Sequence, residues 1–218
     1  MRNILEIYEQ YKIMPNLCLH QLRVASVISL IIQNLDIEVD RDVAIESGLL
    51  HDMGNIIKFD LNYFPEFNEP KGIEYWKKVQ SEYFEKYGTD EHEATQKILK
   101  ELNVNPRVIE IDSNMVFRNL CVDKEGNDWE LKLLHYADMR VGPFGILSYE
   151  DRMEDARKRY EGKIDDEMTR EGDKKLVFLA CGKEIENQIF SNCKIRPEDV
   201  NDLTIAPILE ELKGYVVK

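Results

Sequence analysis

The stretch Gly48-Leu49-Leu50-His51-Asp52-Met53-Gly54 decides the reading of this chain, because it sets an imidazole beside a carboxylate at the end of an apolar helical segment. The chain has only four histidines. Burying such a pair costs free energy unless something compensates, and a divalent cation uses both groups at once. The bland alternative is a capped helix end, in which His51 and Asp52 bond only backbone groups.

Outward from that stretch the periodicity is helical almost throughout. Asp40 caps a helix that runs through Val43, Ala44, Ile45, Leu49 and Leu50, and Gly54 supplies its break, so the pair sits at a helix C-terminal end. Upstream, Leu17, Val24, Val27, Ile28, Ile31 and Leu35 share one helix face, and His20 lies on it with its imidazole toward the core. Downstream the pattern fails from Asn55 to about Gly72, where Phe59, Tyr63, Phe64, Pro65 and Pro70 mark an aromatic-rich loop of the kind that covers a site.

Helices then resume. One is predicted from Ile73 to Tyr87 and ends at Gly88; the next starts at a Thr89 or Asp90 cap with Glu91, His92 and Glu93 in its first turn. Asn105-Pro106 opens another. Asp123 to Asp128 reads as a turn before a helix carrying Leu131, Leu134, His135, Asp138 and Val141, stopped by Gly142-Pro143. Ser148-Tyr149-Glu150-Asp151 forms a capping box for a helix from Arg152 to Tyr160, and Pro197 starts the last one. With no internal repeat and no alternating run, the fold class is all-α.

The formal net charge of -13 disfavours a nonspecific grip on nucleic acid or on an anionic membrane surface. Small phosphorylated ligands stay compatible with it, since a local metal and a few Lys or Arg side chains dominate the field inside a cleft. Met1-Arg2-Asn3 runs into Glu6 and Glu9 rather than an apolar signal segment, and no stretch reads as a membrane span, so the expected location is cytoplasmic. Cys18, Cys121, Cys181 and Cys193 are scattered without a Cys-x-x-Cys pair and are expected to be reduced core side chains.

Asp138 shares a face with Leu131, Leu134 and His135, which places a carboxylate on a buried stripe. Three helices thus direct His20, His51-Asp52 and Asp138 inward, a plausible site of two nitrogens and two oxygens.

These residues carry a resemblance. His20-x-x-Arg23-Val24-Ala25, Leu49-Leu50-His51-Asp52-Met53-Gly54, His92-Glu93 opening a helix with Ile98-Leu99, and Ala137-Asp138 together resemble the HD-domain superfamily of metal-dependent phosphohydrolases. Ala137-Asp138-Met139-Arg140-Val141, with Ser148-x-x-Asp151-Arg152 and Arg159-Tyr160, is similar to a pattern of the HDIG type. The resemblance implies an all-helical HD bundle, with a core at about 15–160 and a C-terminal helical extension at about 161–218 of a single HD-type domain. It implies one divalent metal on His20, His51, Asp52 and Asp138. Mn, Fe, Co, Ni and Zn suit those donors about equally, and Mg is less natural beside two imidazoles.

The implied reaction is hydrolysis of a phosphoester of a nucleotide or similar small molecule by a metal-activated water, which Asp52 also orients. In several HD families the counterpart of His92 touches a second metal or the substrate phosphate; here the alternative is an exposed first-turn residue. Asn55, Lys58, Arg23 and Arg140 are candidates for binding substrate, although either arginine could instead pair with the acidic helices. His135 is either second to the metal ligands or a satisfied core histidine. Three departures stand out: Asn55 where HDIG proteins and cyclic-di-GMP phosphodiesterases commonly carry Lys, Ile111-Asp112-Ser113-Asn114 where binuclear members carry a His pair, and no glutamate just beyond the HD pair. They keep open a noncatalytic module that binds metal and nucleotide as a sensor. A helical interaction protein with structural histidines is a further alternative. Leu176, Phe178, Leu179, Ile185, Ile189 and Phe190 form an apolar strip that packs on the core or, in a homo-oligomer, on a second subunit.

Overall fold

A computed structural model describes residues 2–160 and 174–218. Among the described residues there are eleven α-helices: α1 (Ile4–Gln10), α2 (Pro15–Ile32), α3 (Arg41–Leu50), α4 (Ile73–Tyr87), α5 (Glu91–Leu102), α6 (Pro106–Asn114), α7 (Leu120–Glu125), α8 (Trp129–Asp138), α9 (Tyr149–Tyr160), α10 (Lys174–Ser191) and α11 (Asp202–Leu212). Two short strands, β1 (Arg2–Asn3) and β2 (Val216–Val217), pair antiparallel and bring the two ends of the chain together. The all-α expectation holds.

Local chemistry explains where the helices start. Pro15 and Pro106 occupy first helical positions, where their missing N–H is not needed. Asp40, Asp90 and Asp128 each accept a hydrogen bond from the backbone N–H three residues on, at 3.1, 2.8 and 3.2 Å. The Ser148 hydroxyl accepts one from the Asp151 N–H at 3.0 Å, and α9 begins at Tyr149, three residues before the expected start.

The centre of the protein is α2 packed on α3, with α8 against both and α11 also packed on α2. Gly48 permits the closest part of this contact, since a Cβ there would stand 2.9 Å from Ala25 Cα. Ten of the eighteen side chains of α2 are buried. Against expectation, this helix has the length and apolarity of a membrane span; in this fold the apolar residues go into the core.

Four further expectations need correction. Gly54, expected as the break after α3, has an ordinary φ of -93°, and what it supplies is space, because a Cβ would lie 2.4 Å from Glu91 O and 2.7 Å from Ala94 Cβ. That contact seats the start of α5 against the HD pair. The 123–128 segment is partly helical, since α7 runs to Glu125 and the turn begins at Gly126. Pro197 opens only a short 3-10 turn, and the last helix starts at Asp202 with Asn201 as its cap. Finally, Cys121 and Cys181 form a disulfide with Cα atoms 5.1 Å apart, leaving Cys18 and Cys193 as thiols.

That disulfide ties α7 to α10, which packs on α7 and α8. Of the apolar strip, Ile185 and Ile189 are buried in this contact while Leu176 is exposed. The expected C-terminal extension at 161–218 is described only from residue 174; residues 161–173 lie outside the described residues.

Candidate metal centre and cleft

His20 comes from the middle of the first turns of α2, His51 and Asp52 from the turn that ends α3, and Asp138 from the last residue of α8. The fold brings all four together. His20 Nε2 lies 3.1 Å from Asp138 Oδ1 and 3.5 Å from Asp52 Oδ2; His51 Nε2 lies 3.7 Å from each of the same two oxygens. Donors held roughly 2.1 Å from one ion in a tetrahedron would be about 3.4 Å apart, so these spacings suit a shared cation. Both Nε2 atoms are buried and neither makes a hydrogen bond. Buried polar atoms normally have partners, and two orphaned imidazole nitrogens facing two carboxylates fit a divalent metal.

The surrounding bonds fix the donors. His51 Nδ1 lies 3.0 Å from Gly48 O, a carbonyl that can only accept, so a neutral His51 carries its proton there and offers the Nε2 lone pair. Asn55 Nδ2 donates to Asp52 Oδ2 at 2.6 Å, and the Asp52 N–H donates to Gln21 Oε1 at 3.3 Å. Asn55 therefore orients a ligand rather than only lining the site. Gln21, fully buried, is a support that the sequence reading missed, although it follows His20 directly.

Electrostatics agree with a site built for positive charge. Burial works against charging His51, but Asp52 and Asp138 outweigh it and push the imidazole up to about 9 when no metal competes. Burial likewise opposes ionisation of Asp138, yet His20 and His51 hold its carboxyl well below the usual range; Asp52 is lowered in the same way, chiefly by His51 and His20.

The four groups open into a cleft of about 560 Å³. Its rim includes Lys58, whose ammonium is 3.2 Å from Glu91 Oε1, and the half-exposed His92 at the start of α5. Tyr63, Phe64 and Phe67 of the aromatic loop form another wall, as the sequence suggested. Arg152, Ala156 and Arg159 line the cleft from one face of α9, a spacing of four and three that was legible in the sequence. Asp112, in place of a binuclear His pair, is a buried lining residue; burial pushes its carboxyl up to about 7 against the pull of the Gln96 amide, 2.5 Å away.

Two candidates fall elsewhere. Arg140 is buried, with its guanidinium on the Leu147, Pro197 and Val200 carbonyls and the Tyr136 hydroxyl, so it braces the C-terminal segment and does not line the cleft. Arg23 donates to Phe144 O at 3.2 Å and lies 3.7 Å from Asp202, also away from the lining. His135, in contrast, lines the cleft, but its Nε2 is satisfied 3.0 Å from Asp123 Oδ2, as the core-histidine reading expects.

The family model of the HD domain matches residues 19–116, a stretch that holds His20, His51, Asp52 and His92 and stops short of Asp138. No curated protein and no solved structure matches the chain. The placement of Asp138 beside the other three candidate donors therefore rests on geometry alone. Over residues 19–116, a little under half of its length, the chain is thus similar to the HD domain.

Proposed function

We propose that the protein hydrolyses a phosphoester of a nucleotide or a similar small phosphorylated molecule, with one divalent metal held by His20, His51, Asp52 and Asp138. The observation that carries this reading is the pair of buried, unpartnered Nε2 atoms turned toward two carboxylates. A bound divalent cation would supply Lewis acidity, lowering the pKa of water and neutralising phosphoryl charge.

The chain's own groups do the rest. Gly48 O fixes the tautomer of His51, and Asn55 holds one oxygen of Asp52, so that Asp52 can accept a proton from the attacking water. Arg152, Arg159 and Lys58 give the cleft a cationic side within a strongly acidic protein, which draws in a phosphate. His92 lies at the rim on a helix N-terminus, where a phosphate oxygen would receive a hydrogen bond.

The test combines elemental analysis of the purified protein with a phosphatase screen over mono-, di- and cyclic nucleotides in added Mn, Co, Ni or Mg. Turnover that disappears on chelation and returns with metal supports the reading. Undiminished turnover in excess EDTA after prolonged dialysis excludes it, and failure across the panel despite bound metal favours a noncatalytic metal- and nucleotide-binding module.

A further inference from the structure

We propose that Phe64 and Phe67, flanked by Tyr63 and Phe144, are the platform on which the base of a nucleoside phosphate stacks, and that Asn16 receives a hydroxyl of its sugar. The proposal rests on the reading of the cleft as a phosphoester site and names its substrate class.

Four aromatic rings meet at one end of the cleft. The Phe64 centroid is 4.7 Å from that of Tyr63, 4.9 Å from Phe67 and 5.5 Å from Phe144. Tyr63, Phe64 and Phe67 line the cleft, while Phe144 closes the cluster from the 142–147 turn. That turn is held by hydrogen bonds from Leu147 N–H to Arg140 O and from Arg23 to Phe144 O. Phe144 is 65% exposed and Tyr63 45% exposed, while Phe64 and Phe67 are half-buried, so the cluster is braced yet keeps part of its ring surface open. Exposed, mutually braced aromatics beside a cleft are what a planar ligand needs.

Two acceptors narrow the ligand further. Asn16 Oδ1 and Asn55 Oδ1 are buried, have no hydrogen-bond partner and belong to residues that line the cleft. Asn16 lies one helical turn before His20, and hence next to the metal donors. Neither a metal-bound phosphate nor an aromatic face can donate a hydrogen bond to these oxygens, whereas a hydroxyl can. A ligand with a phosphate at one end, a planar ring at the other and hydroxyls between them is a nucleoside phosphate. A volume of about 560 Å³ is enough for one.

Calorimetric titration of the full chain, with and without added Mn, compares adenosine 5′-monophosphate, ribose 5-phosphate and phenyl phosphate. Base stacking on aromatic side chains predicts that the nucleotide binds about tenfold or more tighter than ribose 5-phosphate. Phe64→Leu, which keeps apolar bulk but removes the ring, should weaken nucleotide binding about five- to a hundredfold and leave ribose 5-phosphate within about twofold. Asn16→Ala should weaken both sugar-bearing ligands and spare phenyl phosphate. Equal affinity for nucleotide and ribose 5-phosphate, or a Phe64→Leu variant that binds the nucleotide as the parent does, overturns the platform. Preference for phenyl phosphate over the nucleotide overturns the sugar assignment. A chain that binds nucleotide in this pattern without hydrolysing it leaves the platform standing and removes only the hydrolase reading. One that hydrolyses ribose 5-phosphate and nucleotides equally does the reverse.

Discussion

His20 Nε2 and Asp138 Oδ1 stand 3.1 Å apart, joining the first long helix to the end of α8, although Asp138 lies beyond the segment matched by the HD family model. The contact completes the proposed donor set. With only His20, His51 and Asp52 the cluster would carry one carboxylate, and two imidazoles with one carboxylate neutralise less of a dication than two with two.

Asp138→Ala should therefore reduce metal affinity by about tenfold or more, at or above the range for loss of a supporting group. Helical circular dichroism should stay near the parent, because Asp138 is the last residue of its helix. Metal content measured after equilibration with limiting Mn decides the matter, and parent-level occupancy in the variant would remove Asp138 from the site.

The metal-free protein should show a pH dependence set by His51. Its imidazole is raised from 6.5 to about 9, so its stabilising contribution is complete below about pH 6.5 and is lost as pH rises through 9. Asp52 and Asp138 are held low, so their contribution is present at neutral pH and is lost as the solution becomes strongly acidic. Melting of the metal-free chain should accordingly fall between pH 6.5 and 9, while added Mn, which competes with the proton, should bind more tightly over the same interval. Binding at neutral pH should release about one proton, read by calorimetry in buffers of different ionisation enthalpy. No proton release, with affinity flat across the interval, would contradict this coupling.

The Cys121–Cys181 disulfide closes a span of 60 residues. A chain-entropy argument gives such a link about 4 kcal/mol, with measured values commonly about 2–4 kcal/mol. Reduction, or Cys121→Ser, should lower the urea midpoint by a corresponding amount without changing metal content, since neither cysteine lies among the metal donors. Equal stability of oxidised and reduced protein would show that the link contributes nothing to folding.

What the sequence revealed and what it concealed follow from the range of the forces involved. His20 and Asp138 were legible because helical periodicity fixes which face a side chain takes, and the HD pair because its spacing is specific. Arg140 was misplaced because it follows the end of α8, where the periodicity that fixed Asp138 no longer applies. Its partners, the Pro197 and Val200 carbonyls, come from a distant segment. The disulfide was hidden for the same reason, as no local pattern pairs Cys121 with Cys181. Gly54 reads in the sequence as a helix break, whereas the constraint on it is the approach of Glu91 and Ala94, a tertiary contact.

His92 is the residue whose role the geometry leaves sharpest to test. It lines the cleft from the first turn of α5, its side chain is 46% exposed, and its Nε2 lies 3.7 Å from Glu91 Oε1; no contact with the four metal donors accompanies this placement among the described residues. A group so placed can meet a phosphate without holding the metal. His92→Ala should then lower turnover by about ten- to a thousandfold, the range for loss of an acid–base or charge-stabilising group, while metal content is unchanged. His92→Gln, which keeps a donor but cannot become cationic, should recover part of that loss if hydrogen bonding dominates, and none if charge does. Loss of metal together with activity would make His92 a ligand and require a second ion near Asp112. Parent-level turnover in His92→Ala would return the residue to an exposed position in a helical first turn, with the phosphate held by the arginines of α9 instead.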